Sequence, residues 1–404
     1  MPKTILVIST LDTKGPETLY LRDKLRSLGV DTLLMDLSMR GDGPSPADIP
    51  PAEVAEAGGS SLEEIHASRE RSRITNITID GASRIAGRLH DEGRLHGVVG
   101  LGGSTGSLMA TEVMRALPFG LPKVMVSSTA ALPGLSTRYI GTGDIALFHS
   151  VVEISGVTDL LRNVLDRAAR AVAGMAADDV ASPRPAGGRA VALTMLGPCE
   201  QCASAVRKAL EAEGFQVIGF SAAGVGDRAM EAMIREGLFQ AVVDLAPGGV
   251  GEHHFGFMRD AGPDRLESAG RFGIPQVVST CSVNHMTPAK RNYKPEYAER
   301  RKYDLDRHRT WIRHAPEELK EVAGEFARKL NQAEGPVSMV IPLQGWSSVD
   351  APGNPSHDPD EDRVFVDELR NLLNPTISIE EVDANMEDPS FAEAVVRATL
   401  ELLR

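Results

Sequence analysis

At 404 residues, with 42% hydrophobic and 25% charged side chains, the chain has the composition of an ordinary globular protein and is too long for one small core, so two α/β domains are expected. A formal net charge of −13 argues against nucleic acid or an anionic membrane as partner, because both would be repelled. The apolar run "TILVI" near the start is too short for a signal peptide, no stretch approaches the ~20 apolar residues of a membrane span, and three cysteines build no disulfide framework, so a reducing cytoplasm is the expected compartment.

Short Val/Ile/Leu-rich runs alternate with helical patterns along nearly the whole chain, which is the signature of βαβ units around parallel sheets covered on both faces. In the first half, strands are expected at 4–9, 31–36, 97–102 and 123–128, with helices at about 16–28, 81–93, 105–116 and 150–174. Residues 40–75 are poor in apolar side chains and rich in proline, glycine and charge; they read as a long surface excursion, a candidate lid. "AADDVASPRPAGG" (176–188) cannot continue a helix or a central strand. The expected division is an N-terminal domain 1–180, a linker 181–188 and a C-terminal domain 189–404. The second series places strands at 190–195, 215–220, 240–245, 276–280, 337–342 and 376–382, and helices at 201–213, 227–236, 262–272, 315–333, 361–373 and 389–403. The fold class is therefore α/β: two tandem doubly wound, Rossmann-like domains with mainly parallel sheets.

In such folds ligands collect at loops that follow strands. "GGSTG" (102–106) joins a strand to a helix, and its glycines permit close approach of backbone N–H groups to an anion beside the helix N-terminus. Gly102, Gly103, Ser104, Thr105 and Gly106 are phosphate-binding candidates, although the loop has no Walker lysine and is not G-x-G-x-x-G. Lys14 on the first strand's exit loop is the candidate cation, with Asp12 and Thr13 able to hold hydrated magnesium; Asp36 ends the second strand where ribose-binding acids sit. The same residues serve equally as a tight turn, a solvated lysine and a strand end. Arg138 and Asp144, in the loop 127–145, are candidate substrate residues, and a plain connecting loop explains them as well.

In the second half, Cys199 and Cys202 form a C-x-x-C at a helix start, outside any thioredoxin-like context. Cys199, Trp346, Ser347 and Asp350 are candidate substrate residues, and His254 and His285 candidate general bases, because histidine titrates near neutrality. Glu252, His253, His254, Cys281 and His285 supply nitrogen and sulfur donors for zinc or iron, but their spacing matches no metal motif. The basic run 290–309 is either an arm over a cleft, a subunit contact or a solvated face.

Several motifs together carry a resemblance: "STLDTKGPE", "GVVGLGGSTGSLMATEVMRALPFGLPKVMVSS", "GPCEQCASAVRKALEAEGFQVIGFSAAGVGDRAMEAMI", "AGPDRLESAGRFGIPQVVS" and "DAPGNPSHDPDEDRVF". The chain resembles, over essentially its whole length, the ATP-binding domain family of the plant tobamovirus (tomato mosaic virus) resistance protein and its uncharacterised bacterial relatives. The resemblance implies a two-domain α/β unit, ATP with Mg2+ at Asp12, Thr13, Lys14 and 102–106, and a homodimer. Longer relatives continue into a TIM barrel, which implies a separate TIM-barrel protein as a partner here. The stretches "AALPG" (130–134), "SAAG" (221–224), "APGG" (246–249) and "CSVNHM" (281–286) depart from the family pattern. All four lie in expected strand-end loops, so the resemblance implies a kept scaffold with an altered pocket.

The expected function is binding of ATP or a phosphometabolite by an enzyme, or enzyme subunit, acting on a small organic acid in the interdomain cleft, by ATP-dependent or hydrolytic chemistry. The alternatives are a non-catalytic nucleotide-binding module regulating a TIM-barrel partner, and a metal-dependent hydrolase or lyase.

Overall fold

The computed structural model describes residues 3–40, 45–177, 188–307 and 309–404. The expected linker 181–188 lies, apart from Gly188, outside the described residues. The chain divides into two compact units, Met1–Pro183 and Arg184–Arg404.

The first unit runs β1 (Thr4–Ser9), α1 (Leu11–Ser27), β2 (Asp31–Asp36), α2 (Pro51–Ala57), α3 (Leu62–Ala67), α4 (Arg71–Asp91), β3 (Gly97–Gly102), α5 (Ser104–Arg115), β4 (Lys123–Ser127), α6 (Leu135–Ile140), β5 (Ala146–His149) and α7 (Asp159–Ala177). Its five strands are all parallel, in the order β2-β1-β3-β4-β5. Continuous apolar runs such as "TILVIS" are buried on both faces, as a parallel sheet requires. Leu21, Leu25, Leu161 and Leu165 from α1 and α7 close one face. Val54, Ile85, Met109 and Val113 from α2, α4 and α5 close the other.

The second unit runs β6 (Ala190–Met195), α8 (Glu200–Ala212), β7 (Gln216–Ser221), α9 (Val225–Arg235), β8 (Ala241–Asp244), α10 (Gly249–Phe255), α11 (Ser268–Arg271), β9 (Gln276–Val278), β10 (His285–Met286), β11 (Lys302–Asp304), β12 (Thr310–Arg313), α12 (Pro316–Leu330), β13 (Val337–Pro342), α13 (Pro359–Leu372), β14 (Ser378–Val382) and α14 (Pro389–Leu402). Its main sheet, β14-β13-β9-β8-β6-β7, is parallel throughout. Counted along the unit, the strand order is again second, first, third, fourth, so both units share one winding. Strands β10, β12 and β11 add a small antiparallel sheet.

Four expectations need correction. The stretch 40–75 is not a bare excursion: it holds α2, α3 and the start of α4, and Ile49, Val54, Ile65 and Ile74 are buried. The expected loop 127–145 contains α6 and leads into β5, and the helix expected from 150 begins at Asp159. Of the helix expected at 262–272 only Ser268–Arg271 forms. There the fully buried Arg265 is held by Asp227, Asp244 and Glu231, and Leu266 takes a left-handed φ of 67° that no helix accommodates. The basic run 290–309 folds as two single-turn 3₁₀ helices and β11, with Tyr297 buried beneath the Arg300 guanidinium, 5.0 Å from its ring centre. No helix among the described residues is long and apolar enough to cross a membrane.

Candidate functional site

Strand β1 has β2 on one side and β3 on the other, so the connections leave it in opposite directions and a crevice opens at its carboxyl end. Beyond Ser9 the chain turns sharply: the amides of Thr13 and Lys14 both donate to the Thr10 carbonyl, at 3.2 and 2.9 Å. Lys14 sits off-helix at φ −129°, ψ 23°, a kink inside α1, and Pro16, which has no N–H to donate, stands in the first turn of the regular helix that follows. The kinked turn puts Asp12, Thr13 and Lys14 on the wall of a cavity of about 1000 Å³.

The facing wall is the start of α5. The first bond inside that helix runs from the Ser107 amide to the Gly103 carbonyl at 2.8 Å, so the N–H groups of the preceding turn have no helical acceptor and carry the positive end of the helix dipole. Gly103, Ser104, Thr105 and Gly106 line the cavity. None of the loop's glycines adopts a positive φ. Gly102 has a different reason: a Cβ there would lie 2.9 Å from the Gly106 carbonyl carbon and the Ser107 nitrogen, so strand and helix could not meet as closely. Ser107 is fully buried and bonds Ser127 Oγ at 2.7 Å, the start of a hydroxyl chain through Thr129 to Tyr139 beneath the helix end.

The third wall comes from β2's exit and from the α3–α4 segment: Met39, Arg40, Ile65, His66, Arg69, Arg71 and Ile74. The Arg71 guanidinium donates to Thr105 Oγ1 at 3.2 Å, which sets a cation at the α5 N-terminus. Among the described residues lining the cavity, Lys14, Arg40, Arg69 and Arg71 thus oppose one carboxylate, Asp12, in a chain whose overall charge is −13. Burial, with Asp36 nearby, holds the Asp12 carboxyl above its ordinary range, so a cation beside it would be welcomed. One carboxylate and a neighbouring hydroxyl suit Mg2+, which takes most of its remaining oxygens from water and phosphate.

Asp36 is off the cavity wall. Its oxygens accept from the Leu11 amide at 3.0 Å, the Ser38 amide at 2.9 Å and Ser45 Oγ at 2.7 Å, so it fastens the two exit loops to each other. Lys14 lines the cavity, but its ammonium is engaged, donating to the Ile154 carbonyl at 2.5 Å with Glu153 at 3.5 Å. Asp144 lies at the amino end of β5, bound to Lys123 Nζ at 2.6 Å and the Gly120 amide at 2.8 Å, away from the cavity-forming strand ends. Arg138 is an exposed residue of α6.

The equivalent crevice of the second unit, at the ends of β6 and β8, is filled. Cys199, Ala246 and Cys281 are core residues there, and the amides of Gln201 and Cys202 at the start of α8 donate to the chain's own Glu387 at 3.2 and 3.3 Å. Burial pushes the Cys202 thiol up, away from reactivity. Trp346, Ser347 and Asp350 are buried: the Trp346 ring packs edge-on against Phe365, and Asp350 accepts from the Trp346 amide at 2.9 Å and Asn284 Nδ2 at 2.7 Å. His285 is fully buried with neither ring nitrogen bonded, and burial together with the Arg313 charge takes its pKa down to about 3. His254 lies on the surface of α10, 3.0 Å from Glu321. Among the described residues no group of three or more His, Cys, Asp or Glu side chains is placed to hold a metal ion.

The structure therefore brings Asp12, Thr13, Lys14 and 103–106 together on one cavity of the first unit. The expectations missed Arg40, His66, Arg69 and Arg71. Arg69 and Arg71 had a signal in the basic run "SRERSR" (68–73), inside the stretch read as a surface excursion and candidate lid; Arg40 and His66 lie outside that run.

Two parallel, doubly wound sheets in tandem, the first with an open, cation-lined crevice at its switch point, define a two-domain Rossmann-like α/β protein. Models of the N- and C-terminal domains of the uncharacterised protein family UPF0261 match residues 3–181 and 189–403, and the chain belongs to that family. A UPF0261 protein of Clostridium tetani is 33% identical over 410 residues, covering all of both chains. The ToMV resistance protein Tm-1(GCR237) of Solanum lycopersicum is 34% identical over 78% of this chain and 42% of its own length, and the ToMV susceptible protein tm-1(GCR26) 30% identical over 98% and 55%. The chain thus spans about half of the tomato proteins. Among solved structures, a UDP-N-acetylglucosamine 2-epimerase matches 93% of this chain and 92% of its own at 11% identity, with a TM-score of 0.22.

Proposed function

We propose that the N-terminal unit binds an organic phosphate, with ATP and Mg2+ as the first candidate, in the cavity between the exit loops of β1 and β3. The observation that carries this reading is the Arg71 guanidinium on Thr105, beside the free N–H groups of α5, because cation and helix end then address one anion. Asp12 and Thr13 are the proposed metal-side residues, and Met39, Ile65 and Ile74 supply an apolar wall for the rest of the ligand. Partners beyond this ligand, including a second copy or a TIM-barrel protein, belong to the same proposal, as does turnover of an organic acid.

Calorimetric titration of the chain with MgATP, AMP and inorganic tripolyphosphate tests it. Affinity should rise with phosphate number and fall steeply with salt. Arg71→Ala should weaken tripolyphosphate at least tenfold, about 1.4 kcal/mol, while leaving the melting curve in place. Equal affinity of Arg71→Ala and the natural chain would overturn the reading. Phosphate release in the same samples separates an enzyme from a binding module.

A further inference from the structure

The return from β5 to α7, residues 150–156, is tied to the cavity through one side chain. Lys14 Nζ, on the cavity wall, donates to the Ile154 carbonyl at 2.5 Å, and its one charged partner there, Glu153, is 68% exposed and 3.5 Å away. Glu17, three residues after Lys14, accepts from the Gly156 amide, so both contacts reach the turn from the start of α1. The turn is compressed. Val152 N donates to the Ser150 carbonyl at 2.7 Å and Ser150 Oγ to the Val152 carbonyl at 2.6 Å. Between them Val151, a β-branched residue and 79% exposed, is held at φ 63°, a conformation such residues adopt only when their surroundings enforce it.

An ammonium shared between a neutral carbonyl and a mostly exposed carboxylate at 3.5 Å gains little from either, whereas a phosphate at the α5 N-terminus offers it a doubly charged acceptor with shorter, stronger bonds. We propose that occupation of the cavity is transmitted to residues 150–156 through Lys14. Phosphate draws the ammonium off the Ile154 carbonyl, the turn that carries the strained Val151 loses one of the bonds that hold it in place, and it relaxes at the carboxyl edge of the sheet. Ile154, whose side chain is fully buried in the core beneath α7, stays as the anchor about which the turn moves. The proposal rests on the phosphate-binding reading and adds a conformational output to that site.

Hydrogen exchange on the full chain, with and without saturating tripolyphosphate or MgATP, tests it alongside calorimetry. The expected result is exchange at least threefold faster over 151–156 and slower over 104–107 once ligand is bound. In Lys14→Met the turn should exchange fast without ligand and respond no further. Val151→Gly, which removes the strain, should bind normally with a clearly smaller response, and it decides the matter should Lys14→Met fail to fold. Heat of binding with unchanged exchange over 151–156 overturns the coupling and leaves the binding reading standing. Absence of heat with either probe overturns both.

Discussion

Arg71 and Gly102 show how single residues shape the cavity in different ways. Arg71 supplies charge, whereas Gly102 supplies absence, since its missing Cβ lets β3 deliver the chain into α5 without a gap. Gly102→Ala should destabilise the chain by about 1–3 kcal/mol in urea unfolding, because backbone rather than a flexible side-chain tip must yield. In the second unit, His285 sets an acid limit. Its folded pKa of about 3 lies below the ordinary 6.5, so the unfolded chain takes up a proton that the folded one refuses as pH falls through that window. The contribution of a neutral His285 to stability is thus complete well above pH 6.5 and is lost as pH falls through that value, by about 2 kcal/mol at pH 5. His285→Leu should flatten that part of the pH–stability curve; an unchanged slope would show that the imidazole does not stay neutral in the fold.

At the scale of elements, the strand–helix alternation was legible because parallel strands buried on both faces read as unbroken apolar runs, and β2, β6 and β13 keep their expected bounds or nearly so. The α2–α3 region was not, because short helices carry few apolar positions; yet "SLEE" (61–64) held a capping signal, and Ser61 Oγ does accept from the Glu64 amide at 3.2 Å. Strand β5 escaped notice since its four residues are only partly buried, and α11 was overestimated since the buried charge of Arg265 outranks helical periodicity. Helix α3 contributes Ile65 and His66 to the cavity, so its cap bears on binding. Ser61→Ala should cost roughly 1 kcal/mol of local stability, speed amide exchange over 62–67 severalfold and weaken tripolyphosphate binding in proportion. Faster exchange with undiminished binding would mean that α3 does not shape the ligand's pocket.

Across the whole molecule the same winding occurs twice with opposite outcomes. In the first unit the switch point stays open between kinked α1 and α5, while in the second it is closed by core residues and Glu387. The candidate loops of the two halves looked alike in sequence because each carries glycines and polar side chains after a strand, and only burial separates them: His285, Ser347 and Asp350 are enclosed, whereas Ser104 and Thr105 face a cavity. The likeness of the loops is chemical, their difference one of packing. The proposed phosphate site requires that the amides at the start of α5 hold an anion. Backbone amide NMR of the intact chain during a tripolyphosphate titration tests this most directly. The largest shifts should fall on Ser104, Thr105 and Gly106, moving together and saturating with the calorimetric affinity. Shifts confined to the second unit, with these three amides unmoved, would contradict it.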